Sequence, residues 1–493
     1  MANEAVQFFQ KQFHEEVVPT AFDIIEHVPH MVDMEQNQEL LRQPTAEEVK
    51  RAVYGLNGDS AGGPDRFNDC FFHSCWDIVG EDVVEMVKAI FNGQDLPRFI
   101  THTNLVLLPK KKGVIAFSDM RPISLSNFIN KVFSRVIHER LAGLLPNLIS
   151  DEQAGFVKGR SIVENVLLTQ EIITDIRLRT KAGPNVVIKL DMMKAYDRLS
   201  WLFLTKILRK MGFSERFIGW VFDETSLQLI MQVLSTYEAA SGQLINKAKS
   251  AAYMHHLTNE TVFSKVERVS GIRRQEFPFT YLGYPIFYAR RKMEYYNGLI
   301  NKVLDKLQSW KGKMLSIGGK AVLISHVIQS MPIHLLSAVN APAFVINKLH
   351  KLMARFFWSS STEGGSRHWA SWDTLCLPKK EGGIGFRSLH DVSKALFCKL
   401  WWNFRTKPSL WSLFMSQKYC KKLNAIVVPW RRNGSHFWRK MLECRDNIEH
   451  KILWQPKMGS ALFWFENWTG LGALYFITPP DFLCDESVQN VMK

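Results

Sequence analysis

A chain of 493 residues, 46% hydrophobic and 22% charged, carries enough apolar side chains for large cores and reads as a globular protein of roughly two to four domains. Its 62 Lys and Arg against 47 Asp and Glu give a formal net charge of +15, which favours a polyanionic partner, and nucleic acid before an anionic membrane because no basic amphipathic helix dominates. Seven scattered cysteines, without a CxxC pair or zinc-finger spacing, fit a reducing compartment, nuclear or cytoplasmic; the opening MANEAVQFFQKQFHEE lacks the apolar core of a secretory signal, and no run is long enough to span a bilayer.

In chain order, residues 1 to about 60 read as helical. PTAEEVKRAVYGL offers a capping box in Thr45 and Glu48 ahead of Val49, Val53 and Leu56 at helical spacing. The loop NGDSAGGPDRF follows, and then CFFHSC, whose Cys70 and Cys75 read as buried thiols rather than ligands. THTNLVLLPKKKG predicts a short strand entering a basic turn, DMRPISLSNFINKVFSRVIHERLAGLLP a Pro-led turn and an amphipathic helix, and SDEQAGF another capped start. After about residue 290 the pattern changes to helices rich in Trp, Phe and Lys, such as HKLMARFFWSS and KALFCKLWWNFR. Their aromatic stripes fit a core, with base-stacking platforms as the alternative. Basic clusters recur at PKKKG, ARRK, WKGK, PKKEGG, YCKKL and WRRN, so the excess charge reads as distributed and suited to sequence-independent phosphate contact.

The stretch VVIKLDMMKAYDRLSW, residues 186 to 201, carries the most specific chemistry. Alternation and β-branching in VVIKLD predict a strand with Asp191 near its C-terminal end, and KAYDRLSWLFLTKIL has helical spacing. A carboxylate at a strand end is a good ligand for Mg²⁺, which binds through one or two carboxylates plus substrate phosphates. One carboxylate is not a site, since two-metal phosphoryl chemistry needs further acids from neighbouring strands. Asp191 as a turn or helix-cap residue, and Asp197 as a helix-surface acid, are the structural alternatives.

The order GGPDRF, LVLLPKKKG, DMRPISLSNFINKVFSRVIHERL, LISDEQAGFVKGRSIVENVLLTQE and IKLDMMKAYDRLSW resembles the reverse transcriptase of plant LINE-type, non-LTR retrotransposons. The resemblance continues through SGQLINKAKS, FPFTYLGYPIF, CLPKKEGGIGFRSL and WFENWTGLGALY, essentially the whole chain. It implies an α+β fold: right-hand polymerase-like fingers and palm, followed by a mainly helical thumb and C-terminal region. The implied divisions are a helical linker at 1–60, fingers and palm at 61–290, a thumb-like region at 291–400 and an aromatic-rich region at 401–493.

The resemblance also implies roles. Lys110 and Arg121 match positions that contact the triphosphate of an incoming deoxynucleoside triphosphate; Lys131, Gln153 and Arg160 match positions near an RNA template or DNA primer. Asp191 matches the metal-binding aspartate of the palm and Asp197 its catalytic companion, with Mg²⁺ as cofactor. Tyr281, Leu282 and Gly283 fall on a segment resembling the primer grip. The family's Gly-Asp-Pro loop and Asp-Asp hairpin should lie between the helix after Asp197 and SGQLINKAKS. Neither is present: KMGFSERFIGWVFD runs directly into ETSLQLIMQVLSTYEAASGQLINKAKS, as though a block had been excised near Asp223 and Glu224.

An incomplete palm sheet is therefore expected, with Asp191's strand exposing backbone groups that the lost strands would pair. The chain is expected not to polymerise DNA. Arg66 stands where the family favours Gly, which argues against positive φ there. The family's endonuclease, terminal Cys/His cluster and ribonuclease H segment are expected to be lacking. A noncatalytic nucleic-acid-binding remnant, an unstable pseudogene-like product and an active polymerase rescued by Asp223 or Glu224 are the three functional outcomes left open.

Overall fold

The computed structural model describes residues 2–13, 22–94, 97–111, 113–176, 185–193, 201–221, 244–246, 249–256, 258–288, 291–311, 315–359, 368–421, 423–431, 434–455, 461–478 and 490–491. The chain divides into two compact units, one formed by residues 1–158, 188–252 and 263–274, the other by 159–187, 253–262 and 275–493. Asp197, Asp223 and Glu224 lie outside the described residues.

The first unit is built on helices α1 (Ala2–Phe13), α2 (Met34–Leu41), α3 (Ala46–Tyr54), α4 (Asp69–Ser74), α5 (Trp76–Phe91), α6 (Arg98–Thr101) and α7 (Phe128–Leu148). Val49 and Val53 of α3, Val83 and Val87 of α5, and Phe128, Val132 and Val136 of α7 recur at helical spacing and form one core. Thr45 accepts the Glu48 N–H at 3.1 Å, but the Glu48 side chain does not complete the expected capping box. It turns instead to Arg140 of α7, which grips it through two bonds of 2.7 and 2.9 Å, and both side chains are buried. Arg140 also donates to the Leu40 carbonyl, so one guanidinium joins α2, α3 and α7. Cys70 is exposed rather than buried, because its short helix turns it outward, and Cys75 is half-buried.

Strands β1 (Thr103–Pro109) and β2 (Met120–Ser126) form an antiparallel hairpin in the register Thr103↔Ser126 to Pro109↔Met120. The predicted turn over DMRPISLS is thus a strand. Pro122 sits opposite Leu107 in a two-stranded ladder, where an edge tolerates a residue without an N–H. SDEQAGF does not open a helix either; positive φ at Phe156 and Gly159 breaks the chain there, and helix α8 begins only at Ile162 and runs to Asp175. Further along are β3 (Val186–Lys189), β4 (Met192–Met193), α9 (Trp201–Met211), α10 (Glu215–Val221), β5 (Leu244–Ile245) and β6 (Ala251–Met254). β3 is hydrogen-bonded to β6 and β4 to β5, each as a two-stranded sheet.

The second unit is mainly helical, as the sequence predicts. Leu349, Met353 and Phe357 of the helix Ala343–Trp358 form a buried stripe within a core that also takes Val303, Trp372 and Leu389. Trp401, Trp411 and Trp438 are fully buried, so these aromatic residues are core, whereas Trp402 and Trp430 are exposed. β7 (Phe279–Tyr281) and β8 (Tyr284–Ile286) close around Leu282 and Gly283, both with positive φ, the two-residue turn that matches strand twist. β9 (Ala461–Leu462) pairs with β10 (Asn490–Val491), and Asn467 holds the adjoining loop by accepting from the Gly470 and Gly472 N–H groups. Among the described residues, no helix is long and apolar enough to cross a membrane.

Burial works to raise the Glu48 carboxyl pKa, but the hydrogen bonds and charge of Arg140 outweigh it and hold the carboxyl below its ordinary value of 4.5. A depressed folded-state pKa contributes stability above pH 4.5 that is lost as pH falls through the folded value. Glu48→Gln is therefore expected to cost roughly 3 kcal/mol at pH 7 and to flatten the acid limb of the stability profile, read as urea midpoints between pH 3 and pH 7.

Candidate nucleotide and nucleic-acid site

Lys110 and Arg121 stand on the β1–β2 hairpin. The ladder continues one step past β1, with the Lys110 N–H donating to the Asp119 carbonyl at 2.8 Å. Leu108 pairs with Arg121, and side chains alternate, so Lys110 and Arg121 project from the same face as diagonal neighbours. Both are exposed. Lys110 Nζ donates to the Ser118 carbonyl at 3.0 Å, and Lys111 pairs with Asp119 at 2.9 Å, where its hydrogen bond overcomes a small burial penalty and holds the Asp119 carboxyl below its ordinary value. The face suits an anionic, multiply charged group.

The base of this hairpin is fixed by the loop that precedes α4. β2 runs directly into α7, and the Asp65 carboxylate accepts the Phe128 N–H at 3.1 Å, capping α7 from 63 residues away. Asn127 returns the contact by accepting the Asp65 N–H at 3.0 Å and donating to the Ile100 carbonyl at 3.1 Å. Gly63 must be glycine, since a Cβ there would come within 2.4 Å of the Ser126 backbone. Arg66, however, has φ of 64°, so the expectation that a non-glycine residue argues against positive φ fails there; the loop imposes the left-handed backbone.

Lys131 is drawn into the same assembly. Its ammonium makes three bonds, to Ser60 Oγ at 3.2 Å, the Ala61 carbonyl at 3.0 Å and Asp69 Oδ1 at 3.1 Å, matching its three donors. Asp69 is buried, so Lys131 balances its charge. Gln153 is exposed and Arg160 half-buried; Gln153 belongs to the first unit and Arg160 to the second. Tyr281 and Gly283 also belong to the second unit. Gly283 has φ of 86°, which gives glycine a structural reason at that turn, and burial pushes the half-buried Tyr281 phenol above its ordinary pKa.

Asp191 is half-buried between β3 and β4. Its N–H donates to Ser250 Oγ at 3.0 Å, and its carbonyl accepts from the Asn246 N–H at 2.7 Å. The strand is expected from the sequence to expose backbone groups; at Asp191 itself they are taken by Asn246 and Ser250, and β3 pairs with β6. One face of β3 is open, with Val186 at 37% and Ile188 at 45% exposure. Among the described residues, no three His, Cys, Asp or Glu side chains gather to hold a metal ion. Asp191 is described, whereas Asp197, Asp223 and Glu224 lie outside the described residues. A depression of 420 Å³ lined by Phe22, Ile25, Glu26, Lys206, Arg209 and Lys210 includes none of the residues predicted for the site.

Residues 108–225 match the reverse transcriptase (RNA-dependent DNA polymerase) family, a segment that begins in β1 and contains Lys110, Arg121, Lys131, Asp191 and Asp197. The chain is 23% identical over 440 residues to the transposon TX1 149 kDa protein of Xenopus laevis, covering 71% of this chain and 32% of that protein. It is 30% identical over 190 residues to an Arabidopsis thaliana protein that carries a ribonuclease H name, covering 37% and 30% of the two chains. Similarity to the retrovirus-related Pol polyprotein from type-1 retrotransposable element R2 of Nasonia vitripennis is 24% over 173 residues, or 34% of this chain and 16% of that one. The chain spans about a third of the length of the first two. It thus carries a reverse transcriptase domain segment and has homologues among transposon and retrotransposon proteins.

The Asp65, Asn127, Asp69 and Lys131 hub is not legible as such, because its bonded pairs, Asp65 with Asn127 and Asp69 with Lys131, are each 62 residues apart; the signal is the Gly-Gly-Pro-Asp sequence itself. Lys131→Met is expected to cost roughly 3 kcal/mol by leaving Asp69 buried and uncompensated, and adding Asp69→Asn to recover part of it, measured as urea midpoints in a double-mutant cycle. Arg66→Gly should raise stability by about 0.5–1 kcal/mol by relieving the left-handed strain, seen as a higher urea midpoint at unchanged slope.

Proposed function

We propose that this chain is a reverse transcriptase-like protein of a LINE-type, non-LTR retroelement that binds nucleic acid without extending a primer, in a nuclear or cytoplasmic setting. The reading rests on one observation: the segment lying against Asp191 brings no carboxylate. Between Glu238 and Glu260 the sequence contains neither Asp nor Glu; Asn246 and Ser250 hold the Asp191 backbone, and Lys249 lies between them in sequence. An amide, an ammonium and a hydroxyl cannot neutralise two divalent ions as acids do. The exposed apolar face of β3 supports loss of a covering block near Asp223 and Glu224.

On this reading the β1–β2 hairpin keeps the phosphate-binding half of the ancestral task. Lys110 and Arg121 meet a triphosphate or a backbone phosphate, and an RNA template paired with a DNA primer is the ligand the family implies. Binding of that kind weakens linearly in log salt. The chain, purified and shown to be folded, is expected to give no primer extension on an RNA template with Mg²⁺ or Mn²⁺, and neither is Asp191→Ala. Extension by the parent chain that vanishes in Asp191→Ala would overturn the inactive reading and turn attention to Asp223 and Glu224. Binding that does not respond to salt would count against the nucleic-acid reading itself.

A further inference from the structure

The +15 net charge is not spread evenly. Between Asp391 and Glu443 lie 51 residues with eleven Lys or Arg and no Asp or Glu, while the remaining 51 Lys and Arg nearly balance the chain's 47 acids. Taken one by one the basic clusters look distributed; counted against the acids, most of the excess sits in this tract.

Two of the eleven are consumed internally. Arg405 is buried between Glu449 and Glu466. Lys418 is held by Glu171 and Asp175, at 2.9 Å from each. Glu171 is itself buried and also accepts from the Tyr419 hydroxyl at 2.8 Å and from Ser435 Oγ. Residues 418 and 419 enter the loop at 420–434 and residue 435 leaves it, so one carboxylate gathers both ends. Tyr419 Oη also accepts the Ser435 N–H at 3.1 Å, and its ring stacks on Trp438 with centroids 4.6 Å apart. The loop has its own anchors in Ile426 and Val428, both buried, and Arg445 donates to the Val428 carbonyl at 2.7 Å. A loop of this length with closed ends and an internal anchor is a presented element.

What it presents is cationic and aromatic. Lys421 and Arg431 are exposed, and the Trp430 indole is 42% exposed. Arg439, on the first turns of the following helix His436–Ile448, places its guanidinium 5.3 Å from the Trp430 ring centroid while Glu443 braces it at 3.3 Å. An exposed indole among phosphate-seeking cations is the arrangement that holds unpaired bases, whose faces a duplex hides.

We propose that Lys421, Trp430 and Arg431, between Cys420 and Ser435, and Arg439 at the start of helix His436–Ile448 form a platform for single-stranded nucleic acid, on which a base stacks against Trp430 while backbone phosphates meet Lys421, Arg431 and Arg439. The proposal rests on the nucleic-acid reading above and places a contact outside residues 108–225. The loop is not an amphipathic helix; Ile426 and Val428 are buried, and Leu423 is its one exposed large aliphatic side chain among the described residues, too little apolar surface for a lipid contact beside so many cations.

Fluorescence anisotropy of the whole chain with labelled 20-mers of oligo(U), oligo(dT) and a 20-bp DNA duplex tests this across a salt series. Trp430→Ala is expected to weaken single-strand binding by roughly 5- to 150-fold, with Trp430→Phe retaining most of it and duplex binding little changed. The double variant Lys421→Gln, Arg431→Gln should shallow the log–log salt slope for single strands by about 1.4. Preference for oligo(U) over oligo(dT), or the reverse, assigns the strand to RNA or DNA. Thermal melts of these surface variants that match the parent exclude a folding defect.

Parent-like binding by all of these variants, with loss only in Lys110→Ala, Arg121→Ala, would overturn the platform and leave the proposed function standing. Absence of oligonucleotide binding in every protein would overturn both. Tryptophan-dependent binding to phosphatidylserine vesicles in place of oligonucleotides would replace the platform with a membrane contact.

Discussion

The first unit depends on a reciprocal cap. A long helix begins with unsatisfied N–H groups, and α7 has no side-chain cap from its own Asn127. Asp65 supplies the acceptor from a distant loop, and Asn127 is thereby freed to tie that loop and Ile100 together. Because β2 ends where α7 begins, fixing this N-terminus also fixes the root of the hairpin that carries Lys110 and Arg121. Gly63 is the space that lets the two backbones meet. The left-handed Arg66 is a consequence: once Gly63, Asp65 and Asn127 are set, the chain has to turn there whatever side chain it carries.

Local pattern made much of this fold readable. Val49 and Val53 at helical spacing, the alternation of β1 and β3, and the aromatic helices after residue 290 are short-range signals, and the structure follows them. What pattern could not convey was partnership over long separations. Pro122 reads locally as a turn, yet β1 makes it a strand residue. Glu48 has the spacing of a capping acid, yet an arginine 92 residues away takes its carboxylate. Lys131 looks like a free cation, yet a buried aspartate and two loop oxygens occupy its donors. In the candidate site the shared face of Lys110 and Arg121 follows from strand alternation alone, whereas the neighbours of Asp191 emerge only from tertiary hydrogen bonds.

The two units handle positive charge differently. In the first, Arg140 and Lys131 bind internal carboxylates and serve packing, while the hairpin face carries Lys110 and Arg121 outward. In the second, Glu171, Asp175, Glu449 and Glu466 take up Lys418 and Arg405 inside the fold, which removes those acids from the surface. While Glu443 at the edge of the tract still pairs with Arg439 and Lys440, burying those carboxylates leaves Lys421 and Arg431 exposed. Their field is then available to a polyanion.

At Asp191, backbone pairing and metal binding make separate demands. The backbone on either side of the residue is satisfied by Ser250 and Asn246, so the local fold does not require a carboxylate-bearing hairpin to close it. Holding two divalent ions demands negative charge from more than one strand, which backbone pairing cannot supply. Under the proposed reading, sequence from beyond an excised block took over the hydrogen bonds without the acids. Selection on folding alone would preserve such a join, because unpaired backbone is what destabilises a buried strand, while a missing metal ligand costs the fold nothing. On that reading, a phosphate-binding face such as that of Lys110 and Arg121 persists independently of the metal ligands, because strand pairing alone sets it.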